Sequence, residues 1–328
     1  MGVTNFPKGF PSGLTIRGLP INQSHPGKVF WVSNASAAQL SGHLTGSDGN
    51  QGRFQDPFAT LDYAVGQCVA GRGDIIMVKP GHAETVSSAT ALALDVAGIA
   101  IVGLGNGSSR PTLTLDTITS ASIGVGANNI SVKNIVVSAN FADIVSAFTL
   151  TTGATAKYFT LENVEVKQAA TDMNFLHVID TNVTANAADG LYIDNLKWIS
   201  IDAATLAMAL VDGTNDDWTV KNSYMNLGGT TTVAMGFTIA TTKFLTNLVV
   251  LDNIGLKVGQ TDGSAGVWLS TDTSTCTGYF ARNYSENTDP AANILMTATS
   301  GIGFGPDNYH SGEQNEHGVA ITTAFNNS

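Results

Sequence analysis

A short phrase recurs along this chain at nearly constant spacing. In each copy a charged residue directly precedes an asparagine that is flanked by strand-forming residues, as in YIDNLKW at 192–198 and TVKNSYM at 219–225. The repeated asparagines are Asn134, Asn163, Asn195, Asn222, Asn253 and Asn283, with gaps of 29, 32, 27, 31 and 30 residues. A fixed period of this size is typical of stacked repeat architectures, in which each repeat contacts only its neighbours.

Each repeat also contains a second apolar run about 15 residues after its asparagine. Examples are AFTLT at 147–151, LHVID at 176–180 and GFTIA at 236–240. Two or three short strands in every 30 residues or so predict an all-β chain wound as a parallel β-helix, or solenoid.

The asparagine itself suits the corner of such a coil. Alternation along YIDNLKW puts Ile193 on one face of the strand and Asp194 on the other. Asn195 then falls at the bend between two sheets, because asparagine tolerates the left-handed αL conformation and bonds turn backbone through its side chain. Stacked asparagines can also hydrogen-bond from coil to coil. We therefore predict that the six asparagines form a structural ladder and have no catalytic role.

The chain divides into three parts by composition. Residues 1–50 are rich in Gly, Pro, Ser and Asn and predict an extended arm that contacts a partner. Residues 51–300 contain the repeats. Their first element is predicted to be a short amphipathic helix over 57–70, with Asp56 as N-cap and Pro57 in the first turn, which caps the open end of the solenoid. Residues 301–328 lack the repeat and predict an irregular tail.

Charge and composition exclude several classes of protein. The chain has 15 basic and 26 acidic residues, a net charge of -11, whereas nucleic-acid binding needs clustered Lys and Arg. The first residues do not form a secretory signal, and no apolar run is long enough to predict a membrane span. Cys68 and Cys276 are predicted to be buried free thiols. The six histidines have no metal-ligand spacing, so we expect neither a metal nor a cofactor.

Residues 47–86 carry the motifs SDGN, DPFATLDYAVGQC and GDIIMVKPGHAETV. Their order resembles the opening of pectate-lyase-like right-handed parallel β-helix proteins. Asp48-Gly49, Pro57-Phe58, Gly73-Asp74 and Pro80-Gly81 occupy the characteristic places, followed by His82 and Glu84. With the repeats, the resemblance covers about residues 47–300. It implies a right-handed β-helix and leaves the activity open, because one scaffold serves many functions.

The first 20 residues, with the phrase GVTNFPKGFPSGLTIRGLPI, resemble the N-terminal segments of structural proteins of tailed bacteriophages. Together with the β-helix and the acidic surface, this resemblance implies a non-enzymatic head decoration, or cement, protein. Its expected partners are the major capsid protein and itself, as a homotrimer. Its expected location is the outer capsid surface of the virion, after synthesis in the host cytoplasm. The arm residues expected to contact the capsid are Asn5, Phe6, Phe10 and Arg17.

The alternative is a tailspike-like polysaccharide depolymerase or a glycan-binding adhesin. Asp180, Asp212 and Asp272 each end the second apolar run of their repeat, so they could form a column of carboxylates as glycoside hydrolysis requires. Aspartate is also favoured where strands end in turns, and we expect that simpler role. The four tryptophans could bind sugars, although we expect core or interface positions for them. The paired aspartates, GHG and RIK of polygalacturonases are absent from the sequence.

Overall fold

The computed structural model describes residues 14–16, 19–21, 27–34, 44–150, 154–202, 204–228, 235–257, 268–270, 275–287 and 301–312. Within these residues the protein is the expected parallel β-helix, almost entirely β with one short α-helix and one 3₁₀ turn at Gly107–Ser109. Three sheets run along the solenoid, and each coil contributes one strand to each sheet in turn. In every sheet the strands are stacked in chain order and pair in parallel.

The first sheet begins closest to the N-terminus. Its strands are Val29–Val32, Ile75–Val78, Ala100–Gly103, Ser131–Lys133, Thr160–Glu162, Tyr192–Asp194, Thr219–Lys221, Leu248–Leu251, Thr277–Ala281 and Gly301–Phe304. The second sheet follows the first within each coil. Its strands are Ala83–Val86, Thr112–Leu115, Val136–Ala139, Glu165–Gln168, Lys197–Ser200, Tyr224–Leu227, Ile254–Lys257, Tyr284–Asn287 and Tyr309–Gly312.

The third sheet closes each coil. Its strands are Ala93–Leu94, Ile123–Val125, Ile144–Leu150, Phe175–Asp180, Ala209–Val211, Phe237–Ile239 and Leu269–Ser270. Two small pairs complete the described strands: Asn215–Asp216 pairs with Leu245–Thr246 in parallel, and Leu14–Ile16 pairs with Leu19–Ile21 antiparallel.

The core is built from inward-facing side chains that stack coil upon coil. In the first sheet one inward column consists of Phe30, Ile76, Ile101, Val132, Leu161, Ile193, Val220, Val250 and Phe280, all of which are buried. Full burial of one such side chain stabilises the fold by about 1.5–3 kcal/mol. Three of the tryptophans, Trp198, Trp218 and Trp268, also lie in the core, as expected. Both cysteines are buried and free, which confirms that prediction.

The boundaries of the solenoid differ from those expected. Val29–Val32 already forms the first strand of the first sheet, so the coils begin within the predicted arm. At the other end Gly301–Phe304 and Tyr309–Gly312 extend the first and second sheets beyond residue 300. The tail hides this repeat because its charged residue and asparagine, Asp307-Asn308, follow Gly305-Pro306 and come only 25 residues after Asn283.

The capping helix is shorter than predicted and begins later. It spans Leu61–Gly66, and its N-cap is Thr60, whose hydroxyl accepts a hydrogen bond from the backbone N–H of Tyr63. Asp56 and Pro57 belong to the preceding turn. Asp56 was the wrong choice because the backbone N–H groups at the true helix start are bound by carboxylates distant in sequence, which local spacing does not reveal.

Candidate functional site

The motif carboxylates near the N-terminus all bind backbone N–H groups. Asp48 accepts hydrogen bonds from the backbone of Ala59 and Thr60 at 2.9 and 3.0 Å, and from the Thr60 hydroxyl. Glu84 accepts from the backbone N–H of Leu61 at 2.9 Å, at the start of the capping helix. These residues hold the helix against the first coil, which is a structural use of the motif.

Asp74 is the most completely buried of these carboxylates. It accepts from the backbone N–H groups of Lys28 and Val69 at 2.7 and 2.8 Å, and from the Arg72 guanidinium through two hydrogen bonds of 2.6 Å. Burial alone would raise the pKa of Asp74, but these hydrogen bonds and the charge of Arg72 lower the pKa to about 2. Asp74 therefore ties the first strand, the helix end and the second coil together as an anion.

His82 completes the same network. Its Nδ1 accepts a hydrogen bond from the backbone N–H of Asn34 at 3.1 Å, and its Nε2 lies 3.0 Å from Glu84 Oε2. Because an N–H group can only donate, the proton of the ring lies on Nε2 and is donated to Glu84. The side chain is buried. It serves a structural role, because its two hydrogen bonds connect the backbone of Asn34 to the carboxylate of Glu84.

Four of the six repeated asparagines occupy the predicted corner. Asn134, Asn163, Asn195 and Asn222 all have φ between 52° and 56°, in the αL region. The Asn163 amide donates to Asn134 Oδ1 at 2.8 Å, and the Asn195 amide donates to Asn163 Oδ1 at 3.0 Å. The Asn222 amide leaves this ladder and donates to Asp194 Oδ1 at 2.8 Å.

Asn253 and Asn283 lie one residue beyond the corner, so the prediction that all six share a column is wrong. The αL residues of these coils are Asp252 and Arg282, and the asparagines that follow them point inward and are buried. Their positions correspond to Ile135, Val164 and Leu196 in the earlier coils, according to the register of the second sheet. The sequence does not reveal this shift, because a charged residue still directly precedes the asparagine while the αL corner moves by one residue.

The inward asparagines form a second, buried ladder. The Asn253 amide donates to Asn283 Oδ1 at 3.0 Å, and the Asn283 amide donates to Asn308 Oδ1 at 3.1 Å. The amides of Asn253, Asn283 and Asn308 also donate to the carbonyls of Val220, Val250 and Phe280, respectively, in the first sheet. Asn308 was not predicted, although it follows Asp307 in the αL corner as Asn253 follows Asp252.

The carboxylates proposed for chemistry lie on the third sheet. Asp180 ends its strand, paired in register with Thr149 and Leu210, and the Asp212 backbone N–H binds the Thr181 hydroxyl one coil further along. Burial, and then the charge of Asp212, raises the pKa of Asp180 to about 6. The pKa of Asp212 is also raised by burial, against the lowering effect of Lys243. Asp272 lies outside the described residues.

Two buried polar atoms of the third sheet have no hydrogen-bond partner within the described part of the chain. They are Asp180 Oδ1 and the hydroxyl of Thr238, which lies two strands further along the column of Asp180. Buried polar groups are normally paired, so this surface is energetically unfavourable as a purely structural element. Asp180 and Asp212 lie near each other on adjacent coils, but they do not form the column that the sequence suggested, because Asp180 pairs in register with Leu210 and Asp212 lies two residues beyond it.

The other candidate residues have simpler places. The expected capsid-contact residues Asn5, Phe6, Phe10 and Arg17 lie outside the described residues. Trp31 packs edge-to-face on Phe54, with ring centroids 4.7 Å apart. In the described ranges no group of three or more His, Cys, Asp or Glu side chains could hold a metal ion. No helix among the described residues has the length and apolar character needed to cross a membrane.

The chain matches no family model, and no curated protein matches it in sequence. Solved structures similar to it include a rhamnogalacturonan lyase, with 14% identity and a TM-score of 0.40 over 80% of this chain and 69% of that one. A GH136 lacto-N-biosidase from Eubacterium ramulus has 8% identity and a TM-score of 0.39 over 87% and 68%. A pectin methylesterase has 13% identity and a TM-score of 0.34 over 89% and 91%. Likenesses at this level define neither activity nor substrate.

Proposed function

We propose that this protein is a non-enzymatic structural component of a tailed-phage virion, a decoration protein that binds the outer surface of the head and reinforces it. Its partners in this proposal are the major capsid protein and further copies of itself, in a homotrimer. The proposal combines the resemblance of residues 1–20 with the way in which the coils use their polar side chains.

The observation that carries the proposal is the structural use of the motif residues. Asp48, Asp74 and Glu84 bind backbone N–H groups at the capped end, and two asparagine ladders bind the corners. These groups stabilise a rod whose N-terminal end and corners are held by hydrogen bonds. A rigid rod of this kind suits a protein that reinforces a shell through repeated contacts.

The copy number in purified virions tests this proposal. We expect the molar ratio of this protein to the major capsid protein to be of the order of one, or of one to three, because a decoration protein follows the symmetry of the shell. Quantitative mass spectrometry with labelled peptides of both proteins measures the ratio. A few copies per virion would assign the protein to the tail instead, and its absence from virions would refute a structural role.

Removal of residues 1–25 provides the matched test for the arm. This deletion ends before the first strand of the first sheet, Val29–Val32, so the described coils keep all their strands. We expect the shortened chain to fold and to lose binding to undecorated capsids in a co-sedimentation assay. Full binding by the shortened chain would show that the coils themselves contact the capsid.

The Asp180 and Asp212 pair favours a second candidate function, cleavage of a surface polysaccharide. A buried carboxyl group with a raised pKa beside a second carboxylate is the arrangement that glycoside hydrolysis uses for its acid and its partner. The unpaired Oδ1 of Asp180 adds to this, since groups held at an energetic cost are often found where they act on a ligand.

Asp180→Asn distinguishes the two functions. Because folding raises the pKa of Asp180 from 3.8 to about 6, its ionisation destabilises the fold as the pH rises through that range. The substitution should therefore stabilise the protein by about 1–2 kcal/mol at pH 7 and have little effect near pH 4. Denaturant unfolding at both pH values measures this gain.

With Asp202→Asn as the control, loss of glycan cleavage in Asp180→Asn would establish the enzyme and refute the non-enzymatic proposal.

A further inference from the structure

The outer face of the second sheet changes character along the solenoid. In the middle coils one outward column contains Glu165 and Lys197, which pair with each other at 3.0 Å, and Arg110 also binds Glu165. The three coils before them contribute Ala83, Thr112 and the buried Val136 to the same column. In the last four described coils the same column continues as Tyr224, Ile254, Tyr284 and Tyr309. An ion pair in two middle coils is thus followed by apolar side chains in a single register.

These apolar side chains are accessible. Ile254, Tyr284 and Tyr309 are 45%, 39% and 38% exposed, and Leu256 lies beside them in the neighbouring outward column. We call Tyr224, Ile254, Leu256, Tyr284 and Tyr309 the tyrosine face. Tyrosine is enriched in the buried centre of protein interfaces because it contributes a large contact area and a hydroxyl at low entropic cost. Single exposed apolar residues are ordinary on a protein surface, whereas a continuous column over four coils is not.

We propose that the tyrosine face is the interface between copies of this chain, packed side by side with parallel solenoid axes. The distribution of charge leaves this face open to a second copy as the occupant. Two chains of net charge -11 repel each other, so they associate where charge is absent or paired. The tyrosine face itself contains no charged side chain. Its acidic neighbour Glu286 lies in the column of Leu256, and at the adjoining corner Arg282 binds Asp252 through two hydrogen bonds of 2.6 and 2.7 Å.

The period of the face also matches a second copy. Its side chains recur once per strand, about every 4.8 Å, and another coil of the same chain has this repeat over its whole length. In a parallel arrangement each coil meets the equivalent coil of its neighbour, so the tyrosine faces meet each other and the two ion-paired coils meet each other. Symmetric contacts of this kind are usual in homo-oligomers.

The size of the face favours the parallel arrangement over the antiparallel one. Five side chains alone fall short of the roughly 800 Å² per partner that a stable interface buries. Parallel copies remain in contact along all nine described strands of the second sheet, a length of about 40 Å at the usual strand spacing. Antiparallel copies that overlap at the tyrosine face would point their early coils away from each other and gain no further contact.

Sedimentation velocity on the purified full-length protein tests the proposal in the micromolar range. We expect the unmodified chain to form an oligomer, and Ile254→Glu and Tyr284→Glu each to weaken association at least about tenfold, as substitution of an interface centre does. Val183→Glu is the matched control, because Val183 is a 63% exposed aliphatic residue outside the face. Circular dichroism confirms folding, and two variants at different coils guard against a local folding defect.

Salt dependence and cross-linking add independent readouts. Association of acidic chains through an uncharged face should strengthen as salt screens their repulsion. Tyr284→Cys should form a disulfide between copies on oxidation, because parallel packing brings equivalent coils together, whereas the native cysteines are buried. A monomeric unmodified chain, or an oligomer unaffected by both glutamate substitutions, would overturn the proposal. Residues 313–328 or an outside ligand would then be the occupant to test. These measurements use purified protein, so their outcome is independent of the copy-number measurement in virions.

Discussion

Asp74→Ala should destabilise the protein by about 3–5 kcal/mol, because it removes one partner of a buried ion pair and leaves several donors without an acceptor. The carboxylate holds Lys28 and Val69 by their backbone N–H groups and Arg72 by its side chain. Equilibrium unfolding in guanidinium chloride measures the loss. Hydrogen exchange should show it as faster exchange in the capping helix Leu61–Gly66 and in the strands Val29–Val32 and Ile75–Val78.

The same residue predicts the acid sensitivity of the capped end. Folding lowers the pKa of Asp74 from 3.8 to about 2, so its contribution to stability is complete above about pH 4 and is lost as the pH falls towards 2. The difference in stability between the unmodified chain and Asp74→Ala should shrink over that interval. Asp95→Ala, which changes an exposed carboxylate, is the control and should have little effect at either pH. Equal losses at pH 7 and pH 2.5 would contradict the assigned role.

The architecture was predictable because repetition multiplies a weak local signal. One asparagine phrase says little, but six at nearly constant spacing indicate a stacked fold, and the second apolar runs supply strands such as Phe175–Asp180 and Phe237–Ile239. The capping end was less predictable because its hydrogen bonds join residues distant in sequence. Asp48 binds the backbone of Ala59, and Glu84 binds that of Leu61.

The candidate sites were predicted less well, for two physical reasons. The shift of Asn253 and Asn283 from corner to core changes the environment but leaves the letters nearly unchanged, so a pattern cannot detect it. The tyrosine face requires the exact coil lengths, since Tyr224, Ile254 and Tyr284 align only when the register is known. The sequence placed Asp180 and Asp212 near each other because each follows an apolar run of the third sheet, but it missed their offset of two residues, since Asp180 pairs in register with Leu210.

The buried ladder predicts a large effect at its central member. Asn283→Leu should cost about 2–4 kcal/mol, because Asn253 would lose its acceptor while Asn308 Oδ1 and the carbonyl of Val250 would lose a donor. Leucine itself suits the position, since Leu196 occupies the equivalent place in an earlier coil and is buried there. The expected loss of stability therefore comes mainly from amides and carbonyls left without partners, and little of it comes from steric conflict. Denaturant unfolding followed by the fluorescence of the buried Trp218 and Trp268 reports the change in the adjoining coils.

The outer ladder supplies the matched comparison. In Asn163→Gly the new glycine adopts the φ of 55° without strain. The substitution removes only amide hydrogen bonds at the solvent-facing corner, so its cost should stay below about 1 kcal/mol. The two substitutions separate burial from repetition, because both remove a ladder asparagine and only one leaves buried groups unpaired. If Asn283→Leu lowered the free energy of unfolding as little as Asn163→Gly, water would have to reach the amides that lost their partners. The inner asparagines would then line a water-accessible channel instead of a sealed core.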